Sequence, residues 1–262
     1  MAQRLQKILS QWGIASRRQA EQMIVQGRVR LNGAAAQLGQ TANPETDCIE
    51  VDGVPINPVN RPEHIYLLLN KPTGVVSTCD DPQNRTTVLD LLPQELRQGQ
   101  GLHPIGRLDT DSTGALLLTN DGALTFLLTH PRHSIAKTYE VWVKGYPPES
   151  VLEAWREGVI LSERKTLPAE VRVLKRKNSQ SLLEIVLREG RNRQIRRVAE
   201  QLGYPVIHLH RIAIGSIHLQ RPGKILLPAQ YRFLQKSEIS FLQNQLNLTS
   251  IKVGADFKEY PV

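Results

Sequence analysis

The sequence predicts an α+β protein with a small helix–helix–strand module followed by a larger domain, in which a mainly antiparallel mixed sheet is flanked by helices. Two short helical patterns and a few alternating strands occupy residues 1–53. A segment that is poor in apolar periodicity and contains three prolines follows at residues 54–64, as is typical of a linker. Strands and helices then mix without a regular βαβ repeat, which favours an antiparallel sheet over a parallel one.

Apolar residues at helical spacing predict two short helices at the start of the chain. Their apolar positions are Leu5, Ile8, Leu9 and Trp12 in the first helix, and Ala20, Met23 and Ile24 in the second. Gly13 and Gly27 follow these patterns and are expected to end the helices. Ser16 can cap the second helix, and Gln19 stands three residues later, which is the spacing of a capping box.

Two short strands are predicted after these helices. Alternating apolar residues at 29–31 and 49–51 are each followed by a turn dipeptide, Asn32-Gly33 and Asp52-Gly53. Charge is distributed unevenly along this module: the charged side chains of residues 41–60 are all acidic. Residues 1–40 carry a single acid, Glu21, against the basic residues Arg4, Lys7, Arg17, Arg18, Arg28 and Arg30. The basic side either binds an anionic partner or consists of ordinary solvated helix faces.

The larger domain is expected to begin with a buried strand at Tyr66-Leu67-Leu68-Leu69, closed by the polar residues 70–74. Further strands are predicted at 139–143 and 183–187 by alternation, and helices at 124–128 and 151–155 by apolar spacing. Ile239, Phe241, Leu242 and Leu246 indicate a short terminal helix before a tail.

Composition restricts the class of protein. With 262 residues and 40% hydrophobic content the chain can bury a substantial core, and its formal net charge of +8 favours an anionic partner such as nucleic acid. Two cysteines, Cys48 and Cys79, are too few for a disulfide framework or a cysteine-rich metal site. The chain shows no targeting signal and no apolar run long enough for a membrane span. A cytoplasmic protein without membrane contact is therefore expected.

The most informative stretch runs from Gly106 to Gly122. It places Asp109 a few residues ahead of the apolar run Leu116-Leu117-Leu118, which is too short for a helix and ends in an Asp-Gly turn. A carboxylate at the entrance of a buried strand, two residues after Arg107, must be paired, hydrogen-bonded or functional. A simple loop salt bridge is the alternative.

A second unusual segment, residues 188–197, contains five arginines and no lysine. If a helix starts near Asn192, its turn places Arg193, Arg196 and Arg197 on one side. A segment whose basic residues are all arginines suits bidentate pairing with phosphate or carboxylate. An ordinary solvated basic helix face is the alternative interpretation.

Residues 2–53 resemble the small RNA-binding module named after ribosomal small-subunit protein four. Four segments of the remainder, taken in order, resemble the RsuA-type ribosomal RNA pseudouridine synthases, and the resemblance extends from about residue 3 to residue 232. These segments are Leu69-Asn70-Lys71-Pro72-Thr73-Gly74-Val75, Pro104-Ile105-Gly106-Arg107-Leu108-Asp109 with its sequel, Lys137-Thr138-Tyr139, and Glu189-Gly190-Arg191-Asn192-Arg193-Gln194-Ile195-Arg196-Arg197. Ala115 departs from the leucine that is more common in the family.

The resemblance implies that the protein isomerises a uridine within RNA, detaching uracil from ribose and rejoining it through C5. It assigns Asp109 as the catalytic carboxylate, Arg196 as its cationic partner, and Tyr139 as a residue that stacks on the uracil or accepts the ribose 2′ proton. Such a carboxylate is comparable to a glycosidase nucleophile, and a stacked uridine must flip out to reach it. Implied RNA contacts are Arg17, Arg18 and Arg28 in the first module, and Lys71, Arg107, Arg191 and Arg193 near the cleft.

The reaction needs no cofactor. No metal is expected either, since His208 and His210 lack a third ligand. The predicted domains are 1–60 for RNA binding, 61–235 for catalysis and 236–262 as a helix or tail. The expected partner is ribosomal RNA or an assembly intermediate, with 23S RNA preferred over 16S RNA, and the expected state is a monomer. A non-catalytic RNA-binding or ribosome-assembly protein is the rival hypothesis.

Overall fold

The computed structural model describes residues 2–56, 62–130 and 135–244 of the chain. It divides into two compact units. The first is formed by Met1–Ile65 with Leu89–His103 and Leu118–Gly122, and the second by Tyr66–Val88, Pro104–Leu117 and Ala123–Val262. The domain boundaries predicted at residues 60 and 235 stay a prediction, and part of the predicted linker, residues 57–61, lies outside the described residues.

The first unit opens with the predicted helices and short strands. In chain order these elements are β1 (Gln3–Arg4), α1 (Leu5–Gln11), α2 (Arg17–Val25), β2 (Val29–Leu31), β3 (Ala34–Ala35), β4 (Thr41–Ala42), β5 (Ile49–Val51), β6 (Val54–Pro55) and, further along the chain, α3 (Gln94–Arg97). Strands β3, β2, β5 and β6 form an antiparallel sheet in that order, and β1 pairs with β4. The two helices and this sheet enclose one apolar core, which contains every apolar position predicted for the helices.

Local chemistry explains where these elements begin and end. The capping box is confirmed: the Gln19 amide donates to Ser16 Oγ at 3.3 Å, and the Ser16 amide donates to the Gln19 side chain at 3.0 Å. The predicted turn residues Asn32 and Asp52 both have positive φ angles, of 51° and 52°. Asparagine and aspartate tolerate this conformation better than other non-glycine residues, which suits the tight turns between the strands.

Most strands of the large sheet belong to the second unit. The elements are β7 (Tyr66–Lys71), β8 (His103–Ile105), β9 (Thr113–Thr119), α4 (Gly122–Thr129), β10 (Lys137–Lys144), α5 (Glu149–Glu157), β11 (Ile160–Leu161), β12 (Arg164–Lys165), β13 (Glu170–Lys177), β14 (Gln180–Leu187), α6 (Gln194–Gln201), β15 (Val206–Ile214), β16 (Ile217–His218) and β17 (Tyr231–Phe233). Residues 236–244 are helical, whereas Leu246 of the predicted terminal helix lies outside the described residues.

The sheet follows the order β13-β14-β10-β15-β9-β7-β17, with β16 beside β15 and β8 beside β9. Its pairs β13–β14, β14–β10, β10–β15 and β7–β17 are antiparallel, while β15 and β9 run parallel near its centre. The predicted α+β class with a mainly antiparallel mixed sheet is confirmed. None of the helices in the described part of the chain could cross a membrane.

The helix expected near Asn192 starts two residues further along the chain. Helix α6 begins at Gln194 rather than near Asn192, and Arg193 precedes it with left-handed backbone angles of φ 49° and ψ 33°. Arg193 is therefore the N-cap residue and not part of the helix, although its guanidinium group contacts the same carboxylate, Asp111, as that of Arg196. The left-handed conformation is unfavourable for arginine, so tertiary contacts must hold it there.

Candidate active site

A cavity of about 700 Å³ lies in the second unit. One side is formed by the central strands, which contribute side chains from a single face: Leu117 of β9, Lys137 and Tyr139 of β10, Leu187 of β14, and Leu209 and Arg211 of β15. The rest of the wall includes the loop 105–109 and the segment 188–196. Because strand residues alternate in direction, Leu117 lines the cavity, whereas Leu116 and Leu118 do not line it.

Asp109 lies on the loop between β8 and β9, and its side chain is 36% exposed. Backbone and hydroxyl contacts on both sides hold this loop. Ser77 Oγ donates to the Leu108 carbonyl at 2.8 Å and accepts a hydrogen bond from the Leu108 amide at 3.2 Å. The Gly74 amide donates to the Thr110 carbonyl at 2.8 Å. The segment 74–77 thus positions the carboxylate, and the sequence analysis had not identified Ser77.

The cation beside Asp109 differs from the one that the resemblance implied. Arg193 Nη1 lies 3.3 Å from Asp109 Oδ2, and Arg193 Nη2 lies 2.9 Å from Asp111 Oδ2. Arg196 Nη2 instead contacts the Asp111 carbonyl at 2.9 Å and Asp111 Oδ1 at 3.3 Å. In the described residues, the ion-pair partner of Asp109 is therefore Arg193. The left-handed turn at Arg193 precedes the helix that carries Arg196, and both guanidinium groups reach the Asp111 loop.

Asp111 is the residue that both Arg193 and Arg196 contact, and the three side chains form a cluster. Hydrogen bonding from Arg193 is the main reason that the pKa of Asp111 is lowered, and the charges of Arg196 and Arg193 act in the same direction. Arg196 also donates to Ser112 Oγ at 3.2 Å. The cluster joins the loop that carries Asp109 to the start of α6.

Lys71 occupies a different environment from the one expected of an RNA contact. It is the last residue of β7, is fully enclosed at 0% exposure, and donates from Nζ to the carbonyls of Pro72 and Ser112, each at 2.9 Å. Burial lowers the pKa of Lys71 to about 8, although the charges of Asp111 and Asp109 oppose that shift. An enclosed ammonium offers nothing to an RNA phosphate, so the position does not support the predicted contact. Lys71 instead supports the loop at Ser112.

Tyr139 is 8% exposed and lies opposite Arg211 in the pairing of β10 with β15. The Arg211 guanidinium carbon is 6.0 Å from the centre of the tyrosine ring. Lys137, two residues before Tyr139 on the same strand, donates from Nζ to the Ile135 carbonyl at 3.1 Å. Burial and the charge of Arg211 lower the pKa of Lys137 to about 8. Arg211 was not among the residues predicted from the sequence; an arginine within the mainly apolar strand β15 was the available signal.

Two family models match the chain: RNA pseudouridylate synthase over residues 65–201 and the S4 domain over residues 3–47. The chain belongs to the RNA pseudouridylate synthase family. Its most similar relatives include the ribosomal large subunit pseudouridine synthase B of Bacillus subtilis, 42% identical over 83% of this chain and 88% of that protein. An uncharacterized RNA pseudouridine synthase of Mycobacterium tuberculosis is 40% identical over 94% of each chain. A crystal structure of a pseudouridylate synthase is 33% identical, with a TM-score of 0.65 over 91% of this chain and 99% of that one.

This RNA pseudouridine synthase uses Arg191 within its own fold. Arg191 donates to the carbonyls of Arg164 and Lys165 at 3.0 and 2.6 Å, and its Nε lies 3.1 Å from Glu189. It thereby ties the β11–β12 hairpin to the segment before α6. Arg107 also lines the cavity, is exposed, and has no hydrogen bond or ion pair with any described residue.

The S4 domain of the synthase carries the other predicted RNA contacts. Arg17 and Arg18 are exposed and their guanidinium groups have no partner in the described part of the chain. Arg28 is also exposed, but it makes a bidentate pair with Asp52 at 2.8 and 2.6 Å. An RNA phosphate would have to compete with that carboxylate for Arg28, whereas Arg17 and Arg18 are available.

The histidines that could have suggested a metal site have other surroundings. His210 Nδ1 lies 2.8 Å from Thr113 Oγ1, and burial lowers the pKa of His210. No group of three or more His, Cys, Asp or Glu side chains within 2–56, 62–130 and 135–244 is arranged to hold a metal ion.

Proposed function

We propose that this synthase converts a specific uridine of large-subunit ribosomal RNA to pseudouridine, with Asp109 as the nucleophile and the target uridine flipped out of its stack. The observation that carries the proposal is the position of the Asp109 carboxylate: it borders a cavity that also contains Tyr139, and it is paired with Arg193. The name of the Bacillus subtilis relative supports the large subunit. The S4 domain supports RNA as the partner, and we expect the enzyme to act as a monomer.

The site fits the chemistry of a carboxylate nucleophile. Attack requires an ionised carboxylate at the reacting carbon, either C1′ of the ribose or C6 of the base. The Arg193 guanidinium group lies 3.3 Å from the Asp109 carboxylate and forms an ion pair with it. Arg196 acts on the same loop through Asp111 and Ser112, so we assign it a positioning role in catalysis.

The cavity suits a flipped base. Its volume falls within the usual range for small-ligand pockets, and the apolar side chains of Leu117 and Leu209 line it beside the Tyr139 ring. The ring can stack on uracil, and the apolar wall limits water around the detached base. Flipping removes the uridine from its neighbours at a cost of a few kcal/mol, roughly, which is smallest at an unpaired position.

The test compares 23S and 16S RNA transcripts that are incubated separately with the enzyme and mapped for pseudouridine by carbodiimide primer extension. Wild-type enzyme should produce one new stop in 23S RNA. Asp109→Asn should lose at least roughly a thousandfold in rate, because it removes the nucleophile. Asp111→Asn is the matched control on the same loop and should retain measurable activity.

Three results would contradict the proposal. A stop that persists at the wild-type rate in Asp109→Asn would exclude Asp109 as nucleophile. A stop in 16S RNA alone would exclude the large subunit as substrate. The absence of any stop with wild-type enzyme would favour a non-catalytic RNA-binding role.

A further inference from the structure

Two aromatic rings lie together at the end of α4 and form an aromatic pair, Phe126 and His130. Phe126 is 64% exposed, and its ring centroid lies 5.1 Å from that of His130, with an angle of 51° between the ring planes. The two residues are four positions apart, and the His130 amide donates to the Phe126 carbonyl at 3.0 Å. The helical hydrogen bonding therefore continues to His130 and places both rings on one face.

The buried side of α4 does not need Phe126. Leu124, Leu127 and Leu128 are buried and pack into the apolar core of the second unit. Because these leucines anchor the helix, the exposed ring of Phe126 contributes little to folding. Single apolar residues are common on protein surfaces, so the position of the ring decides whether it has a function.

The aromatic pair borders the candidate active site. Thr129 and His130 line the cavity. A Cβ atom on Gly106 would lie 3.9 Å from Thr129 Cγ2, so the loop that carries Asp109 runs beside the end of α4. Arg107 of the same loop also lines the cavity and is exposed. An exposed aromatic surface and an exposed cation thus adjoin the same part of the cavity wall.

We propose that the aromatic pair is a stacking platform for an unpaired base of the RNA, namely the base of a nucleotide next to the flipped uridine. The inference rests on the proposed function, because it requires that the target uridine enters the cavity. It adds a nucleotide-binding site beside the cavity and identifies its ligand as a nucleobase.

Base flipping explains why such a platform is useful. When the uridine leaves its stack, the neighbouring base loses a stacking partner. Phenylalanine and histidine are among the side chains on which unstacked RNA bases stack, and the interaction tolerates any base because every base has a π face. Arg107 provides a positive charge for the RNA backbone beside that base. The platform thereby offsets part of the cost of flipping without contacting the reacting atoms.

Two other roles for Phe126 explain less of the geometry. A role in the core requires burial, whereas most of this side chain is exposed. A docking site for another protein requires a broad apolar patch, whereas the neighbours of Phe126 one turn of α4 away include the polar residues Thr129 and His130. A single exposed ring beside a second ring and a cation suits a base and its phosphate better.

The experiment measures single-turnover rates on the 23S transcript over a range of enzyme concentrations, with enzyme in excess. Phe126→Leu keeps an apolar side chain but removes the ring, so the enzyme concentration for half-maximal rate should rise roughly 5- to 10-fold. The rate at saturation should change by less than about twofold, because the stacking contact is the same before and during the chemical step. Phe126→Trp restores a ring and should retain the wild-type concentration dependence.

Phe233→Leu is the matched control. Phe233 is 58% exposed and its ring lies 6.5 Å from that of Tyr231, but it belongs to β17 and does not line the cavity. Its replacement should leave both the concentration dependence and the saturating rate unchanged. Thermal unfolding checks that each variant is folded, and both should unfold near the wild-type temperature because both rings are exposed. Phe126→Met takes the place of Phe126→Leu if the latter does not fold.

A second measurement identifies the base that stacks. Transcripts carry an abasic residue on either the 5′ or the 3′ side of the modified uridine. With wild-type enzyme, one of these substitutions should raise the half-maximal concentration as Phe126→Leu does, and in Phe126→Leu the same substitution should raise it no further. Because each partner of the contact is removed in turn, this non-additivity distinguishes stacking from a structural change in α4.

A wild-type concentration dependence in folded Phe126→Leu would overturn the inference, as would full additivity with both abasic substitutions. An equal effect of Phe233→Leu would also contradict it. All three outcomes leave the proposed function intact, since wild-type enzyme still forms pseudouridine. If wild-type enzyme forms none in either RNA, the proposed function fails and the inference fails with it.

Discussion

Four of the arginines that line the cavity differ in what their guanidinium groups contact. Arg193 and Arg196 bind carboxylate and loop oxygens of 109–112, Arg191 binds backbone carbonyls of the β11–β12 hairpin, and Arg211 keeps a buried nitrogen unpaired. The planar fork of arginine can make two directed hydrogen bonds at once, which lysine cannot reproduce. At the residue scale, much of the arginine-rich segment therefore builds the site instead of contacting RNA.

The burial of Lys71 predicts how the stability of the protein depends on pH. Its folded pKa, about 8, lies below the ordinary value of 10.5, so between these pH values the unfolded chain binds more protons than the folded one. Stability from this group must then rise with pH across that window. The difference in unfolding free energy between wild type and Lys71→Met should grow by about 3 kcal/mol from pH 8 to 10.5. Denaturant titrations at several pH values measure it, and a difference independent of pH would show that Lys71 titrates normally.

At the scale of elements, the parallel pair β9–β15 depends on Gly114. This residue has a φ of 105°, and an added Cβ would lie 2.2 Å from the Arg211 carbonyl oxygen. Only glycine combines this backbone conformation with such a close approach. Gly114, the second residue of β9, thus lets this strand pack against the strand that carries Arg211, and thereby brings the Asp109 loop and Arg211 to one cavity.

Gly114→Ala is therefore expected to destabilise the protein by about 2 to 4 kcal/mol, from the strained φ and the backbone clash. Urea-induced unfolding followed by circular dichroism measures the change. Gly122→Ala is the matched control, since a Cβ there meets no atom within 4 Å and no positive φ is required. Equal stability of the two variants would contradict this account of the strand pair.

At the scale of the whole molecule, the net charge of +8 favours binding to a polyanion. Neutralising phosphates releases counterions, so each lost contact flattens the dependence of affinity on salt. Arg17 and Arg18 are the exposed S4-domain arginines whose side chains have no partner among the described residues. They are therefore the residues expected to carry much of this dependence.

The double variant Arg17→Glu/Arg18→Glu should weaken RNA binding and flatten the slope of log K against log salt by roughly 1.5 to 2. Filter binding of the 23S transcript over a salt series measures the slope. Lys175→Glu/Lys177→Glu, on exposed positions of β13, changes the total charge by the same amount. An equal effect of both double variants would attribute the slope to net charge and not to the S4 domain.

Local patterns were sufficient to predict most elements. The capping box at Ser16 and the alternation of β10 depend on residues close in sequence, and the structure confirms both. Arg193 and Lys71 could not be placed in this way. Arg193 takes a left-handed conformation that no local propensity favours, and Lys71 is buried although lysine is usually exposed. Contacts with the 109–112 loop, distant in sequence, stabilise both residues.

By itself, the sequence determined the α+β class and the S4 and synthase segments, because these depend on residue type and short-range spacing. Asp109 and Tyr139 were predicted as site residues through the resemblance to a known family. Only the tertiary structure decided which cation accompanies Asp109, that Lys71 is enclosed, and that Arg211 shares the cavity. These facts depend on which strands become neighbours and on how closely their backbones approach. Residues nearly a hundred positions apart, such as Gly114 and Arg211, meet only in the folded sheet.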